Sequence, residues 1–165
     1  MPNHCYNKVE VYGSGNDTEE TRAQIAKIKD IFEDESIFTH FIPEPDWPNI
    51  PLMFKEDTTG KGIGTRYGNL GELPVKREDP FQRYVFQSTG ITDQRWYDWR
   101  LQHWDTKWDA YDVDVDDCDE DHLIITFNTA WSPPEAICHA MRELYPDLAV
   151  TWFYDEPGME IAGYL

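Results

Sequence analysis

The chain has 165 residues, 40% of them apolar and 15% aromatic, which is enough for one domain with a hydrophobic core. Its 32 acidic and 14 basic side chains give a net charge of −18, which disfavours direct binding to nucleic acid or anionic membranes. Without a signal-peptide pattern or an apolar run of roughly 20 residues, the sequence predicts a cytoplasmic protein with no membrane partner.

The negative charge is concentrated towards the end of the chain. Residues 1–50 carry a net charge of −6, residues 51–104 carry +1 and residues 105–165 carry −13. Adaptation to high salt remains an alternative explanation, although it would be expected to spread acids over the whole surface. The three cysteines lack CxxC spacing, so we expect free thiols in a reducing compartment.

Residues 5–12 and 18–35 predict a strand followed by a helix. Val9 and Val11 alternate with tyrosines and charged residues, which is the period of a half-buried strand. Asp17 and Glu20 resemble a capping box at the start of the helix. The apolar residues that recur at helical spacing after it are Ile25, Ile28, Ile31 and Phe32.

Residues 36–42, SIFTHFI, predict a second strand, and the four prolines that follow end it. Residues 55–90 are rich in glycine and carry six of the fourteen basic residues. They predict an irregular insertion, from about 43 to 90, within a single domain, 1–165. TTGKGIGTRYG, residues 58–68, lacks the spacing of both phosphate-binding glycine motifs, so a surface loop is expected there.

Residues 92–108, TDQRWYDWRLQHWDTKW, place four large side chains on one stripe of a helix, or of a helix that runs into a turn: Tyr97, Leu101, Trp104 and Trp108. Such a stripe is typical of a core-facing helix. The alternative, a platform for stacking bases, is disfavoured by the acidic surroundings.

The stretch DAYDVDVDDCDEDHLIITF, residues 109–127, predicts an antiparallel hairpin with one acidic side. Val113 and Val115 should face the core, and the aspartates that alternate with them should line the other face. DDCDED is predicted to form the turn, and HLIITFNTA returns with Leu123, Ile125 and Phe127 on one face.

SPPE, residues 132–135, predicts a helix start with Ser132 as the N-cap and Pro133 in the first turn. The predicted buried face of this helix consists of Ile137, Met141, Leu144 and Tyr145. Residues 148–154 and 159–165 then form a closing hairpin. This element order favours an α+β fold of ferredoxin-like character, a mainly antiparallel sheet with the helices packed on one face.

Five blocks of the sequence resemble, in order, the YubB-like family of phage- and plasmid-encoded proteins with a ferredoxin-like domain. They are MPNHCYNKVEVYG, FIPEPDW, WYDWRLQHWDTKWDAYDV, FNTAWSPP and YPDLAVTWFYDEPGMEIAG. The family usually has Asn-Trp-Gly where this chain has His103-Trp104-Asp105. The resemblance implies the fold and a mobile-element origin, and it carries over no catalytic residue.

The acidic hairpin is the candidate partner-binding site. Its carboxylates imitate the charge of nucleic acid and could occupy the basic groove of a host protein or nucleoprotein complex, such as a CRISPR or restriction complex. The candidate residues are Asp109, Asp112, Asp114, Asp116, Asp117, Asp119, Glu120 and Asp121. A solvated acidic face that only keeps the protein soluble is the alternative.

An enzyme or small-ligand protein is the competing class, with a pocket bordered by Trp104, Lys107, Trp108 and Trp131. No catalytic motif is recognisable, and we expect no cofactor and no metal. An EF-hand is excluded because Asp117 and Leu123 stand where the loop needs Gly and Glu. Cys118 and His122 lack a second spaced pair of zinc ligands.

Overall fold

The computed structural model describes residues 3–13, 15, 18–49 and 95–165, apart from the side chains of Asp117 and Cys118. The chain divides into two compact units, one of residues 1–43 and 101–165 and one of residues 44–100. Most of the predicted insertion, including the glycine-rich loop at 58–68, lies outside the described residues. The assignment of one domain to the whole chain stays a prediction.

The larger unit is built on a five-stranded sheet in which all neighbouring strands are antiparallel. In chain order the strands are β1 (His4–Gly13), β2 (Tyr111–Asp119), β3 (His122–Ala130), β4 (Leu148–Glu156) and β5 (Ile161–Tyr164). Their order across the sheet is β2-β3-β1-β4-β5. The predicted first strand and both predicted hairpins are confirmed.

Strand alternation separates the two faces of this sheet. On one face Val9 of β1 lies opposite Ile125 of β3 and Trp152 of β4, and all three side chains are fully buried. The residues that alternate with them are half-buried or exposed. Because successive side chains of a strand point to opposite faces, one face forms the core and the other faces solvent.

Two helices pack against the core face, α1 (Glu19–Phe32) and a later helix at Glu135–Leu144. In α1 the predicted buried residues, Ile25, Ile28, Ile31 and Phe32, are all buried, which confirms the helical pattern. Its capping box begins one residue later than predicted. The Thr18 hydroxyl accepts from the Thr21 amide, and the Thr21 hydroxyl accepts from the Thr18 amide.

The rings of the core meet at Phe127 on β3. Phe32 of α1 and Trp152 of β4 each have their ring centroid 5.6 Å from that of Phe127, and Phe38 lies at 6.1 Å. Phe127 therefore joins the first helix, two strands and the segment after α1. The strand order and the one-sided packing confirm the predicted α+β, ferredoxin-like architecture.

The predicted strand at 36–42 is wrong, because this segment forms a short 3-10 turn at Phe38–His40. Ile37, Phe38 and Phe41 are all buried. A strand would point Ile37 and Phe38 to opposite faces, whereas a turn of helix can point all three inward. The backbone amide of Phe38 is satisfied by a carboxylate oxygen of Asp109 at 3.0 Å.

The predicted stripe of four large side chains is also wrong, except at Trp104. The helix here, α2 (Arg95–His103), buries Arg95 and Trp99, whereas Tyr97, Leu101 and Trp108 are all exposed. Trp104 is fully buried but lies beyond the helix end. Because the backbone is left-handed at Asp105 (φ 61°), the helical phase does not continue to Trp108.

The helix at Glu135–Leu144, now α3, is capped from a distant part of the chain rather than by Ser132. Its N-cap residue, Pro134, makes no side-chain hydrogen bond to the helix. Instead, a carboxylate oxygen of Asp105 accepts from the Ala136 amide at 2.8 Å. The Ser132 hydroxyl instead donates to the Asp105 carbonyl. On the buried face Cys138 joins Ile137 and Met141, while Leu144 is exposed, contrary to the prediction.

Substitution of Asp105 should separate its two contributions to stability, the hydrogen bond that caps α3 and the left-handed backbone conformation. Asp105→Ala loses the cap bond and strains the left-handed backbone, and should cost about 1–3 kcal/mol of the free energy of unfolding. Asp105→Gly loses only the cap bond, so it should cost less. Asp105→Asn should cost least, because asparagine keeps a hydrogen-bond acceptor and also tolerates the left-handed backbone conformation. Urea unfolding of the three variants checks this order; equal losses for Ala and Gly would contradict a role of backbone strain.

Candidate functional site

The acidic stretch forms β2, which lies at the edge of the sheet beside β3. Asp114 lies opposite Thr126 and Asp116 lies opposite Ile124, and both aspartates are exposed on the face away from the core. Val115 lies opposite the buried Ile125. The predicted alternation is therefore confirmed from Asp114 to Asp116, and these two aspartates are about 6.7 Å apart along the strand. Val113 lies in an irregular part of β2, and Val113 and Val115 are half-buried rather than part of the core.

Asp112 is placed by an irregularity rather than by regular alternation. The register of β2 against β3 shifts between Tyr111 and Asp114, which inserts an extra residue, and Asp112 adopts a left-handed backbone with φ 52°. Its carboxylate accepts from the side-chain amide of Asn128 at 3.3 Å. Asp112 is exposed, so it adds a third carboxylate beside Asp114 and Asp116.

The turn between β2 and β3 consists of Glu120 and Asp121, and β2 continues to Asp119. The predicted turn, 116–121, is therefore longer than the one observed. Asp119, Glu120 and Asp121 are all exposed. Glu120 forms an ion pair with Arg22 of α1 at 3.0 Å, which is worth at most about 1 kcal/mol because both side chains are well solvated.

Asp109 has a structural role that sequence reasoning missed. One carboxylate oxygen accepts from the Phe38 amide at 3.0 Å and from the Ala110 amide at 2.8 Å. The residue therefore fixes the segment after α1 to the start of β2. The side chain of Asp117, another predicted partner-binding residue, lies outside the described part of the structure.

The face of the sheet that carries Asp114 and Asp116 is here called the open sheet face. Strand register places on it the following residues: Tyr6, Lys8, Glu10 and Tyr12 of β1; Tyr111, Asp114, Asp116 and Asp119 of β2; His122, Ile124, Thr126 and Asn128 of β3; Ala149, Thr151, Phe153 and Asp155 of β4; and Ala162 and Tyr164 of β5. It therefore combines carboxylates with exposed rings.

The charge of Lys8 on the open sheet face is balanced by the neighbouring carboxylate of Glu10. Lys8 and Glu10 are bonded at 2.6 Å, and this hydrogen bond lowers the pKa of Glu10 and raises the pKa of Lys8. Apart from this pair, the ionised side chains that the register places on this face are carboxylates: Asp114, Asp116, Asp119 and Asp155. The face therefore has a negative net charge.

The four residues of the predicted pocket occupy different environments. Trp104 is fully buried, donates from its indole to the Ile42 carbonyl at 3.0 Å and contacts Phe38 edge-on. The Lys107 ammonium lies 4.1 Å from the centre of the exposed Trp108 ring. Trp131 is exposed and has a left-handed backbone. Trp104 is thus a core residue of the larger unit.

A wide-open surface cavity that sequence reasoning missed lies in the smaller unit. It has a volume of about 570 Å³ and is lined by Trp47, Trp96, Glu44, Arg100 and three neighbours. The Arg100 guanidinium lies over the Trp96 ring and donates three hydrogen bonds to the Glu44 carboxylate, at 2.6, 3.0 and 3.1 Å. The signal available in the sequence was the recurrence of tryptophan beside charged residues in FIPEPDW and WYDWR.

The two described thiols are poor nucleophiles. Cys5 and Cys138 are fully buried, and burial raises the pKa of each to about 11, so the unreactive thiol form persists at neutral pH. In the described ranges 3–13, 15, 18–49 and 95–165, no group of three or more His, Cys, Asp or Glu side chains is placed to hold a metal ion. No described helix is both long and apolar enough to cross a membrane.

Comparison with known proteins supports the class of the domain. Residues 103–165 match a family model described as the ferredoxin-like domain in Api92-like protein. The match covers less than half of the chain and spans β2, β3, α3, β4 and β5. The chain therefore contains a ferredoxin-like domain similar to that of Api92-like proteins.

One solved structure similar to this chain is the crystal structure of the protein Api92 from Yersinia pseudotuberculosis. It has a TM-score of 0.47 and 10% sequence identity, over 99% of this chain and 93% of that chain. No curated protein matches this chain. The resemblance to the YubB-like family of phages and plasmids stays a prediction.

Truncation of the core tryptophan should act on stability. Trp104→Ala removes a fully buried ring and its hydrogen bond, so it should cost about 3–5 kcal/mol of the free energy of unfolding. Trp131→Ala, at an exposed ring, should cost less than about 1 kcal/mol. Chemical denaturation followed by far-ultraviolet circular dichroism compares the two; similar losses would contradict the assignment of Trp104 to the core.

The buried thiols can be tested in a Cys118→Ser variant, which leaves Cys5 and Cys138. In the native protein at about pH 8 neither thiol should react with a chromogenic disulfide reagent, because both are inaccessible and protonated. After unfolding in guanidinium both should react. Rapid reaction of either thiol in the folded protein would contradict the described burial.

Proposed function

We propose that this protein is a non-enzymatic interaction protein that binds a basic, nucleic-acid-binding partner in place of nucleic acid. The observation that carries the proposal is the exposed row of carboxylates on the edge strand β2, formed by Asp112, Asp114 and Asp116. Asp119, Glu120 and Asp121 extend this row to the turn. We call these six residues the acidic edge.

The acidic edge has the charge pattern that the basic groove of a nucleic-acid-binding protein attracts. Four of its six residues belong to strand β2, whose backbone therefore loses little conformational freedom when a partner binds. Binding would release counterions and would be steered by the −13 net charge of residues 105–165. Direct binding of nucleic acid is disfavoured by the same charge.

The resemblance to phage- and plasmid-encoded proteins suggests what the partner does. A mobile element gains from blocking host complexes that cut foreign DNA, and CRISPR and restriction complexes hold DNA in positively charged channels. We therefore propose a cytoplasmic host partner of this kind, blocked by occupation of its groove. An acidic face that serves only solubility is the alternative.

A second candidate function rests on the cavity in the smaller unit. Trp47 and Trp96 provide aromatic walls, and Glu44 and Arg100 provide fixed polar groups, which is the composition of many small-ligand sites. This candidate differs from the proposed interaction protein in its prediction, because substitutions in the acidic edge would not change the binding of a ligand in the smaller unit.

Capture from a bacterial lysate tests the proposed function. Tagged wild type should retain a DNA-cutting or DNA-binding complex, and a variant with Asp112, Asp114 and Asp116 changed to Asn should lose it, because the row of charge is removed. The matched control changes three exposed acids elsewhere, Glu33, Glu35 and Glu143, to Gln, and should retain the complex. Mass spectrometry of the retained proteins reads out all three.

The dissociation constant for the captured partner should then rise at least tenfold between about 50 and about 200 mM salt, as expected when several phosphate-like contacts are made. Retention of the same proteins by all three forms, or a dissociation constant that does not change with salt, would contradict nucleic-acid mimicry.

A further inference from the structure

The open sheet face carries exposed aromatic rings in addition to carboxylates. Tyr6, Tyr12 and Tyr164 are 40%, 42% and 72% exposed, and Phe153 is half-buried beside Tyr164 with ring centroids 5.3 Å apart. Cross-strand pairs of such rings stabilise a sheet, but a ring as exposed as that of Tyr164 adds little buried area to the fold. Rings of this kind are typical of contact surfaces.

The four rings lie on β1, β4 and β5, whereas most carboxylates of this face lie on β2, at Asp114, Asp116 and Asp119. One carboxylate, Asp155 of β4, lies on the side of the rings. Register places Asp114, Thr126, Lys8, Phe153 and Tyr164 in one row from β2 to β5. Neighbouring strands are about 4.8 Å apart, so Phe153 on β4 lies about 14 Å from Asp114 on β2. An extended segment of four or five residues, at roughly 3.3 Å each, spans that distance.

We propose that the open sheet face holds an arginine-rich segment of the basic partner, an inference that rests on the proposed function. The segment crosses the sheet from Tyr164, Phe153 and Tyr6 towards Asp114 and Asp116. Its guanidinium groups stack on the rings at one end and form paired hydrogen bonds with the aspartates at the other.

Arginine fits this surface better than lysine does. The guanidinium is planar, stacks on aromatic faces and donates in a fork that matches a carboxylate, whereas an ammonium is a compact and strongly hydrated charge. Arginine-rich segments are also common in proteins that bind nucleic acid, because guanidinium groups recognise phosphates in the same way. The same rings could stack bases, but Asp114, Asp116, Asp119 and Asp155 would repel the phosphates.

Fluorescence anisotropy with labelled arginine and lysine peptides of about nine residues tests the inference, since both peptides can cross the sheet. Wild type should bind the arginine peptide about fivefold or more tightly than the lysine peptide. Changing Tyr6 and Tyr164 to Ala should abolish this preference and leave the lysine peptide nearly unaffected. Changing both tyrosines to Phe should preserve it, and Tyr97→Ala, at an exposed ring of the smaller unit, is the matched control.

The outcomes separate this inference from the proposed function. If Asp114→Asn with Asp116→Asn weakens both peptides but the tyrosine variant retains the arginine preference, the acidic edge binds alone and the inference is wrong. If neither variant weakens either peptide, the inference and the proposed function both fail. Binding of a labelled single-stranded oligonucleotide that requires Tyr6 and Tyr164 would show instead that the face is a base-stacking platform and would overturn the inference.

Discussion

The larger unit depends on burial of one face of its sheet around Phe127. This ring contacts α1, β4 and the segment after α1, so it joins parts of the chain that are far apart in sequence. Because α1 and α3 both cover the face that contains Phe127, the alternate side chains of β1, β3 and β4 must face solvent. The candidate binding surface is therefore a direct result of how the core is formed.

The local periodicity of apolar residues was sufficient to predict the five strands of the sheet and α1, because each of these patterns lies within one element. It failed where a residue acts on a distant segment. The carboxylate of Asp105 caps α3 across 31 positions of sequence, and no local pattern around Ser132 could have indicated this. Likewise, Ile37, Phe38 and Phe41 have strand-forming side chains, but they form a 3-10 turn in which the Phe38 backbone amide donates a hydrogen bond to the Asp109 carboxylate.

The candidate site was predictable in part for the same reason. The outward orientation of Asp114 and Asp116 followed from the alternation of β2. The structural role of Asp109 could not be predicted in this way, because it depends on contact with Phe38, a residue distant in sequence. The combination of Tyr6, Phe153 and Asp114 on one surface depends on the order of the strands, and these residues come from three widely separated stretches of sequence.

The irregular pairing of β2 has a consequence for association between copies of this chain. An edge strand presents unpaired backbone groups to which a strand of another molecule could add. Here the register shifts on both sides of the segment Asp114–Asp117, which interrupts the regular spacing of those groups. Two such edges brought together would also oppose their aspartates. The irregular spacing and the negative charge of β2 therefore both disfavour the addition of a further strand at this edge of the sheet.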